Sequence, residues 1–217
     1  MSKTDLLIDG PAASAWTLVL AHGAGQNMRS GFMSQIAAGL ASAGQALNGL
    51  QVVRFEFPYM ARAQKEGVRR PPDREPVLLN CWREVLRTLE DTGADRRRIV
   101  IGGKSLGGRM ASLICDEQKV AGLVCLGYPF HPLGKSERLR VEHLHHLATP
   151  TLICQGERDT FGGRQEVPDY ELPANIRIHW LTDGDHGFKP RKSSGRTEIQ
   201  NWEDAIEAIT AFIQTLD

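Results

Sequence analysis

No stretch of this 217-residue sequence is apolar over anything close to the roughly 20 residues that a membrane-crossing helix needs. Neither sign of charge is in excess. Lys and Arg number 26 and so do Asp and Glu, so no global field draws the chain to nucleic acid or to an anionic membrane, and only local patches remain open. Cysteine is sparse: Cys81, Cys115, Cys125 and Cys154 stand without paired spacing, which argues against a disulfide framework or a zinc site and for a reduced, cytoplasmic protein. Near the N-terminus only Leu6 to Ile8 follow the early Lys3, too few for the apolar part of a secretory signal. Internal repeats and low-complexity tracts are also missing. The length suits one domain, 1–217, and 41% hydrophobic residues suit a packed core.

What is present alternates between short apolar runs and longer amphipathic segments. Trp16 to Ala21, Gln51 to Phe57, Arg98 to Gly103, Val120 to Leu126, Thr151 to Gln155 and Ile176 to Leu181 read as strands. Helical spacing predicts helices over Ser30 to Ala43, Pro76 to Asp91, Leu106 to Cys115 and Asn201 to Leu216. A basic, Pro-rich loop follows Pro58, and Arg62 to Pro76 is its most linker-like stretch, too short to separate domains. Near-continuous apolar strands are buried on both faces, and their alternation with helices implies a mostly parallel sheet with helices on both sides.

The chemistry concentrates where strands end. Gly103-Lys104-Ser105-Leu106-Gly107 fits G-x-S-x-G directly between a strand and a helix, the context that puts a serine on a sharp, strained turn above the sheet edge. A serine that merely caps the helix is the alternative. His22-Gly23-Ala24-Gly25 ends the first strand. The amides of Ala24 and Leu106 are the expected oxyanion donors, and His22 is expected to brace that turn rather than act as a second base. The phosphate-loop alternative lacks both G-x-G-x-x-G and the P-loop spacing. Asp159 follows the strand Thr151 to Gln155, with Glu157 its nearest competitor, and His186 follows Ile176 to Leu181. The order Ser105, Asp159, His186 is that of an α/β-hydrolase triad. Asp183 and Asp185 lie too close in sequence to His186 to orient its ring easily and read as turn formers.

Other polar residues have two readings each. His143 and His146 could share a helix face as metal ligands, but no third ligand stands nearby, and a solvated or partly packed face explains them as well. His179 lies within a strand. Gly23, Lys104, Tyr128, Phe130, His131, Phe188 and Lys189 flank the motif loops and are expected to contact substrate. Lys104, Lys135, Lys189 and Arg191 form either a basic rim for an anionic substrate or ordinary solvated charges. Arg69, Arg70 and Arg74 are another rim element or a partner site.

Gly102 to Ser112, Leu126 to Pro132, Gln155 to Gly162 and Gly184 to Arg191 together resemble one group. This is the small α/β-hydrolases distantly similar to dienelactone hydrolase, and more narrowly the bacterial branch sharing a domain with a subunit of the eukaryotic non-specific-lethal chromatin complex. The likeness runs from about Thr17 to the C-terminus. It implies the α/β-hydrolase fold and places nucleophile, acid and base on Ser105, Asp159 and His186. Dienelactone enzymes use a cysteine nucleophile, so their reaction does not carry over to a serine. Some eukaryotic relatives serve as scaffolds, which makes a silent interaction domain the alternative to an enzyme.

The expected activity is acyl transfer to water with no metal or organic cofactor. Its partner is a small-molecule ester, thioester or lactone, not nucleic acid or membrane, and the sequence is silent on oligomeric state. Only Tyr128 to Pro150 connects the strands between which many relatives insert a cap, so an open site and a short acyl chain are expected.

Overall fold

The computed structural model describes residues 5–216; Lys3 lies outside them. A seven-stranded sheet is built from β1 (Leu6–Asp9), β2 (Trp16–Ala21), β3 (Leu50–Phe55), β4 (Ile99–Lys104), β5 (Gly122–Leu126), β6 (Thr151–Gly156) and β7 (Ile176–Leu181). Their spatial order is β1-β3-β2-β4-β5-β6-β7, with β1 antiparallel to β3 and every other pair parallel. The longer helices are α1 (Gly31–Ala43), α2 (Pro58–Glu66), α3 (Glu75–Asp91), α4 (Leu106–Ser112) and, after the short α5 (Cys115–Gln118), α6 (Glu198–Gln214).

Alternate strand residues feed two cores, as the pleat requires. On one face Val19, Phe55, Ile101 and Cys125 pack with Tyr59 of α2, Trp82 and Val85 of α3 and Met110 of α4. On the other, Leu18, Leu20, Val100 and Val124 pack with Ile36 and Leu40 of α1 and Ile209 and Phe212 of α6. Ser30 caps α1 by accepting from the Met33 amide, and α6 opens with a reciprocal Thr197–Gln200 capping box. The fold is that of an α/β hydrolase without a cap: between β5 and β6 there is only a loop and a single 3-10 turn over Glu142–His146. No helix among the described residues is long and apolar enough to cross a membrane.

Three segments differ from the sequence expectation. Leu6 to Ile8 belong to an edge strand, fastened where the buried Arg54 guanidinium donates to the Asp9 carboxylate. The stretch after Pro58 is not all loop: proline at the first helical position presets φ, and α2 runs until Gly67 adopts φ +67°. Only Tyr59 of its nine residues is buried, so its apolar stripe is too thin to mark it as a helix. The helix expected over Leu106 to Cys115 breaks at Leu113–Ile114, where the amides turn back three residues to Met110 and Ala111.

A close backbone contact lies where β4 turns into α4. A Cβ on Gly107 would stand 2.4 Å from the Ala21 carbonyl oxygen and 2.8 Å from that of His22. All of its near neighbours are backbone, so nothing can give way cheaply. Gly25, by contrast, would meet nothing within 4 Å. Gly107→Ala is therefore expected to lower unfolding free energy by about 1–3 kcal/mol, and Gly25→Ala to change it by less than about 0.5 kcal/mol. Urea denaturation midpoints check both.

Candidate active site

Ser105 sits between β4 and α4 with φ +49° and ψ −110°, a conformation a non-glycine residue holds only where its surroundings impose it. Those surroundings are the Ser105 amide donating to the Leu126 carbonyl at 3.0 Å and the glycine-tight contact of α4 with the end of β2. The Ser105 Oγ lies 2.9 Å from His186 Nε2, and His186 Nδ1 lies 2.8 Å from Asp159 Oδ2. Serine, imidazole and carboxylate thus stand in series. With Nδ1 carrying the proton, Nε2 is free to accept the hydroxyl proton.

Asp159 is 2% exposed, and its carboxylate is met by hydrogen-bond donors on both oxygens. Oδ1 accepts from the Phe161 amide at 2.8 Å, and Oδ2 accepts from Gln155 Nε2 at 2.9 Å as well as from His186. Gln155 is fully buried at the end of β6. Its Oε1 accepts from the Tyr128 amide and its Nε2 also donates to the Gly162 carbonyl, so one amide fixes the loops on both sides of the acid. The Phe161 ring packs on the His186 ring with centroids 4.4 Å apart. Asp183 and Asp185 do other work: Asp183 binds Arg191 and Arg158, and Asp185 Oδ1 accepts from the Gly187 and Lys189 amides. Glu157 pairs with Arg164 and accepts from the Asp183 amide.

The His22-Gly-Ala-Gly turn lies against this group; a Cβ on Gly23 would be 3.8 Å from Ser105 Cβ. Burial holds the His22 pKa below its ordinary value. As the neutral ring it donates from Nδ1 to the Gly23 carbonyl and accepts at Nε2 from the Phe57 amide. Tyr59 donates its hydroxyl to the Ala24 carbonyl at 3.1 Å. With these carbonyls held from behind, the Ala24 amide has no protein acceptor among the described residues. Leu106 opens α4, so its amide has no acceptor within the helix. A further brace is the buried Glu56, whose carboxylate accepts from the Met28 amide and from Gln64 of α2. Burial raises its pKa.

A cleft of about 580 Å³ opens over Ser105, walled by Gly23, Ala24, Phe32, Phe161, His186 and Trp202. Of the residues expected to contact substrate, Gly23 and Lys104 border it. Tyr128 and Phe130 are fully buried on the α3 side of the sheet, Tyr128 donating to the Arg140 carbonyl. His131 is buried 3.3 Å from Glu166, Phe188 lies under Phe32, and Lys189 is outside the cleft wall. The expected basic rim is therefore not assembled: Arg191 is tied to Asp183, and Lys104 is only 8% exposed. His143 turns inward to Ser112 Oγ at 2.8 Å while His145 and His146 are exposed, and His179 pairs with Asp204. Among the described residues no three His, Cys, Asp or Glu side chains cluster as metal ligands. Sequence reasoning missed Gln155, Phe161, Phe32 and Trp202. Only Gln155, four residues before the acid on the same strand end, left a local signal.

A family model described as an α/β-hydrolase domain matches residues 14–214, and the chain belongs to that family. Among solved structures it is similar to an α/β serine hydrolase homologue from Coxiella burnetii, at 21% identity over 95% of this chain and 91% of that one, TM-score 0.71. A serine hydrolase from Xanthomonas campestris described as lacking a lid matches at 18% identity over 98% and 88%, TM-score 0.69. A Paleococcus ferrophilus monoacylglycerol lipase matches at 14% identity over the whole of both chains, TM-score 0.70. At these identities the likeness is one of fold.

Lys104 precedes Ser105 and reaches under the base, its Nζ donating to the His186 carbonyl at 2.6 Å between the rings of Phe32 and Phe188. Burial pushes its pKa down from 10.5 to about 8, against the pull of Asp159 and Asp185. Below pH 8 the folded protein carries the cost of a buried ammonium. Between about pH 8 and 10.5 the unfolded chain binds the extra proton, so stability rises with pH across that window. The rise is at most about 3 kcal/mol. Lys104→Met is expected to remove it and to be the more stable protein at pH 7, while turning over substrate more slowly because the tie to His186 is gone. Chemical denaturation at pH 7, 8, 9 and 10 checks the sign.

Proposed function

We propose that this protein is a serine hydrolase that transfers the acyl group of a small or exposed ester, thioester or lactone to water. The observation that carries the reading is the unbroken series from Ser105 through His186 to a buried, three-fold hydrogen-bonded Asp159. Ser105 Oγ attacks the carbonyl carbon as His186 Nε2 takes its proton. Asp159 holds the imidazole in the reactive tautomer and stabilises the imidazolium. The oxyanion develops against the amides of Ala24 and Leu106, each such donor being worth about 3 kcal/mol of transition-state stabilisation. His186 then protonates the leaving group, and the acyl-Ser105 ester is cleaved by water activated at the same nitrogen. No step requires a cofactor. Within the family, the motifs around these residues support membership of the bacterial branch related to the chromatin-complex subunit.

The open cleft sets the size of the acyl group. With no cap between β5 and β6, a long chain gains only a fraction of the ~0.8 kcal/mol per methylene that full burial contributes. Specificity constants for p-nitrophenyl esters are expected to peak from acetate to butyrate; a steady rise through decanoate contradicts the open site.

A fluorophosphonate probe tests the nucleophile directly. Ser105→Ala is expected to abolish labelling and ester hydrolysis with the fold intact by circular dichroism. By analogy with a mispositioned tautomer in other serine triads, Asp159→Asn is expected to lower kcat about 10⁴-fold, and Asp183→Asn far less. A protein that neither labels nor cleaves any short ester is an interaction domain in a hydrolase shell.

A further inference from the structure

The His22-Gly-Ala-Gly turn is a partition between two hollows. The cleft over Ser105 lies on one side. On the other, an open chamber of about 500 Å³ shares Ala24 and Gly25 with it and is walled by α2 and the residues that follow. The chamber exists because Gly67 ends α2 in the left-handed region and the Val68 amide donates back to the Ala63 carbonyl, folding Val68 to Arg70 over the turn. Val68 is left 51% exposed beside Met60 and Ala63, an apolar wall open to the chamber.

At the end of that wall the lining is cationic. It contains Arg69 and Arg70 and no Asp or Glu. The neighbouring cations are neutralised, Arg62 by Asp73 and Arg70 by Glu66, whereas Arg69 has no ion-pair partner among the described residues. The Ser105 cleft has a balanced lining. Its one acidic wall residue is Glu198, and the ammonium of Lys104 is committed to the His186 carbonyl. An anion therefore meets an unpaired, exposed guanidinium in the chamber, whereas in the cleft the Glu198 carboxylate opposes the buried Lys104 ammonium.

We propose that the chamber is a recognition subsite for a carboxylate carried on one arm of the substrate. The arm crosses the lip at Ala24 and Gly25, its apolar portion lies along Met60, Ala63 and Val68, and its carboxylate pairs with the Arg69 guanidinium, whose planar fork matches that group. The scissile carbonyl stays at Ser105. This assignment rests on the serine hydrolase reading and names its substrate class: half-esters of dicarboxylic acids, or esters of hydroxy acids.

The test compares two charged substrates with neutral isosteres, mono-p-nitrophenyl glutarate against p-nitrophenyl valerate, and the acetyl ester of 3-hydroxybenzoate against phenyl acetate. The first pair puts the carboxylate on the acyl arm, the second on the leaving arm. For one pair the charged ester is expected to have the higher kcat/KM by about fivefold, chiefly through KM, with the advantage shrinking as salt is raised. Arg69→Gln is expected to bring the charged-to-neutral ratio close to one, and Arg69→Lys to restore some of it. A ratio near one for both pairs in the unmodified protein, or a ratio indifferent to Arg69→Gln, overturns the subsite. Calorimetric binding of the glutarate half-ester and the hydroxybenzoate ester to Ser105→Ala, with and without Arg69→Gln, reads the subsite without turnover. Binding of one of them weakened by Arg69→Gln, in a protein whose unmodified form takes no fluorophosphonate, keeps the subsite and removes the hydrolase. Labelling with no Arg69-dependent binding of either does the reverse.

Discussion

Backbone meets backbone where β4 turns into α4, with no room for a side chain between. Carbons added at Gly103 and Gly107 would fall 2.2 Å and 2.4 Å from the same carbonyl oxygen, that of Ala21 at the end of β2. The site follows from that contact. Ser105 is forced through φ +49° between the two glycines, which lifts its hydroxyl off the sheet. Ala21 is followed at once by His22, so the chain leaving β2 must pass over the first turn of α4. The turn carrying the Ala24 amide and the helix start carrying the Leu106 amide are thus brought together by one close approach rather than by separate devices. Strain at a position so thoroughly over-determined is retained, because relaxing it would pull α4 away from the strands it packs on.

Electrostatics at the site are settled mostly by dipoles. Asp159 is buried without a formal counter-charge in contact and relies on Gln155, the Phe161 amide and His186. A buried carboxylate hydrogen-bonded on both oxygens is fixed in place, and it holds the His186 ring in one orientation. The nearby cation, Lys104, ties the residue before Ser105 to the His186 backbone. Its burial with a lowered pKa costs stability at neutral pH, the kind of local expense that functional sites carry and that a packed apolar residue would avoid.

Most of the scaffold was legible because its strands are apolar runs and its longer helices repeat at helical spacing. β1 and α2 were not. A four-residue edge strand has too few residues to show alternation, and α2 turns a polar face to solvent with little besides Tyr59 to mark its buried side. That Ser105, Asp159 and His186 stand in hydrogen-bonded series was legible because each lies at or shortly after a strand end, where local context carries the inference. The substrate contacts could not be read the same way. Nearness in sequence to a motif says nothing about which face a side chain takes: Tyr128 and Phe130 follow β5 but enter the α3-side core, and Phe188 drops beneath Phe32. The actual cleft wall draws Phe32 from α1 and Trp202 from α6, which only the closed fold brings to the serine.

Without a cap, selectivity has to be supplied differently. Where a lid closes over a site, desolvation and recognition come together from one mobile element. Here the cleft over Ser105 stays open, and its walls offer aromatic surface, with the Lys104 ammonium buried against the His186 carbonyl. Selectivity must then come from a fixed surface reached by a longer portion of the substrate. The element that borders the oxyanion turn from behind is α2, which already braces that turn through Tyr59 and, by way of Glu56, through Gln64. A group bound along α2 would therefore bear on the same backbone that carries the Ala24 amide. On the proposed reading, recognition at Arg69 and stabilisation of the oxyanion would then be joined through the α2 segment that Tyr59 ties to the Ala24 carbonyl.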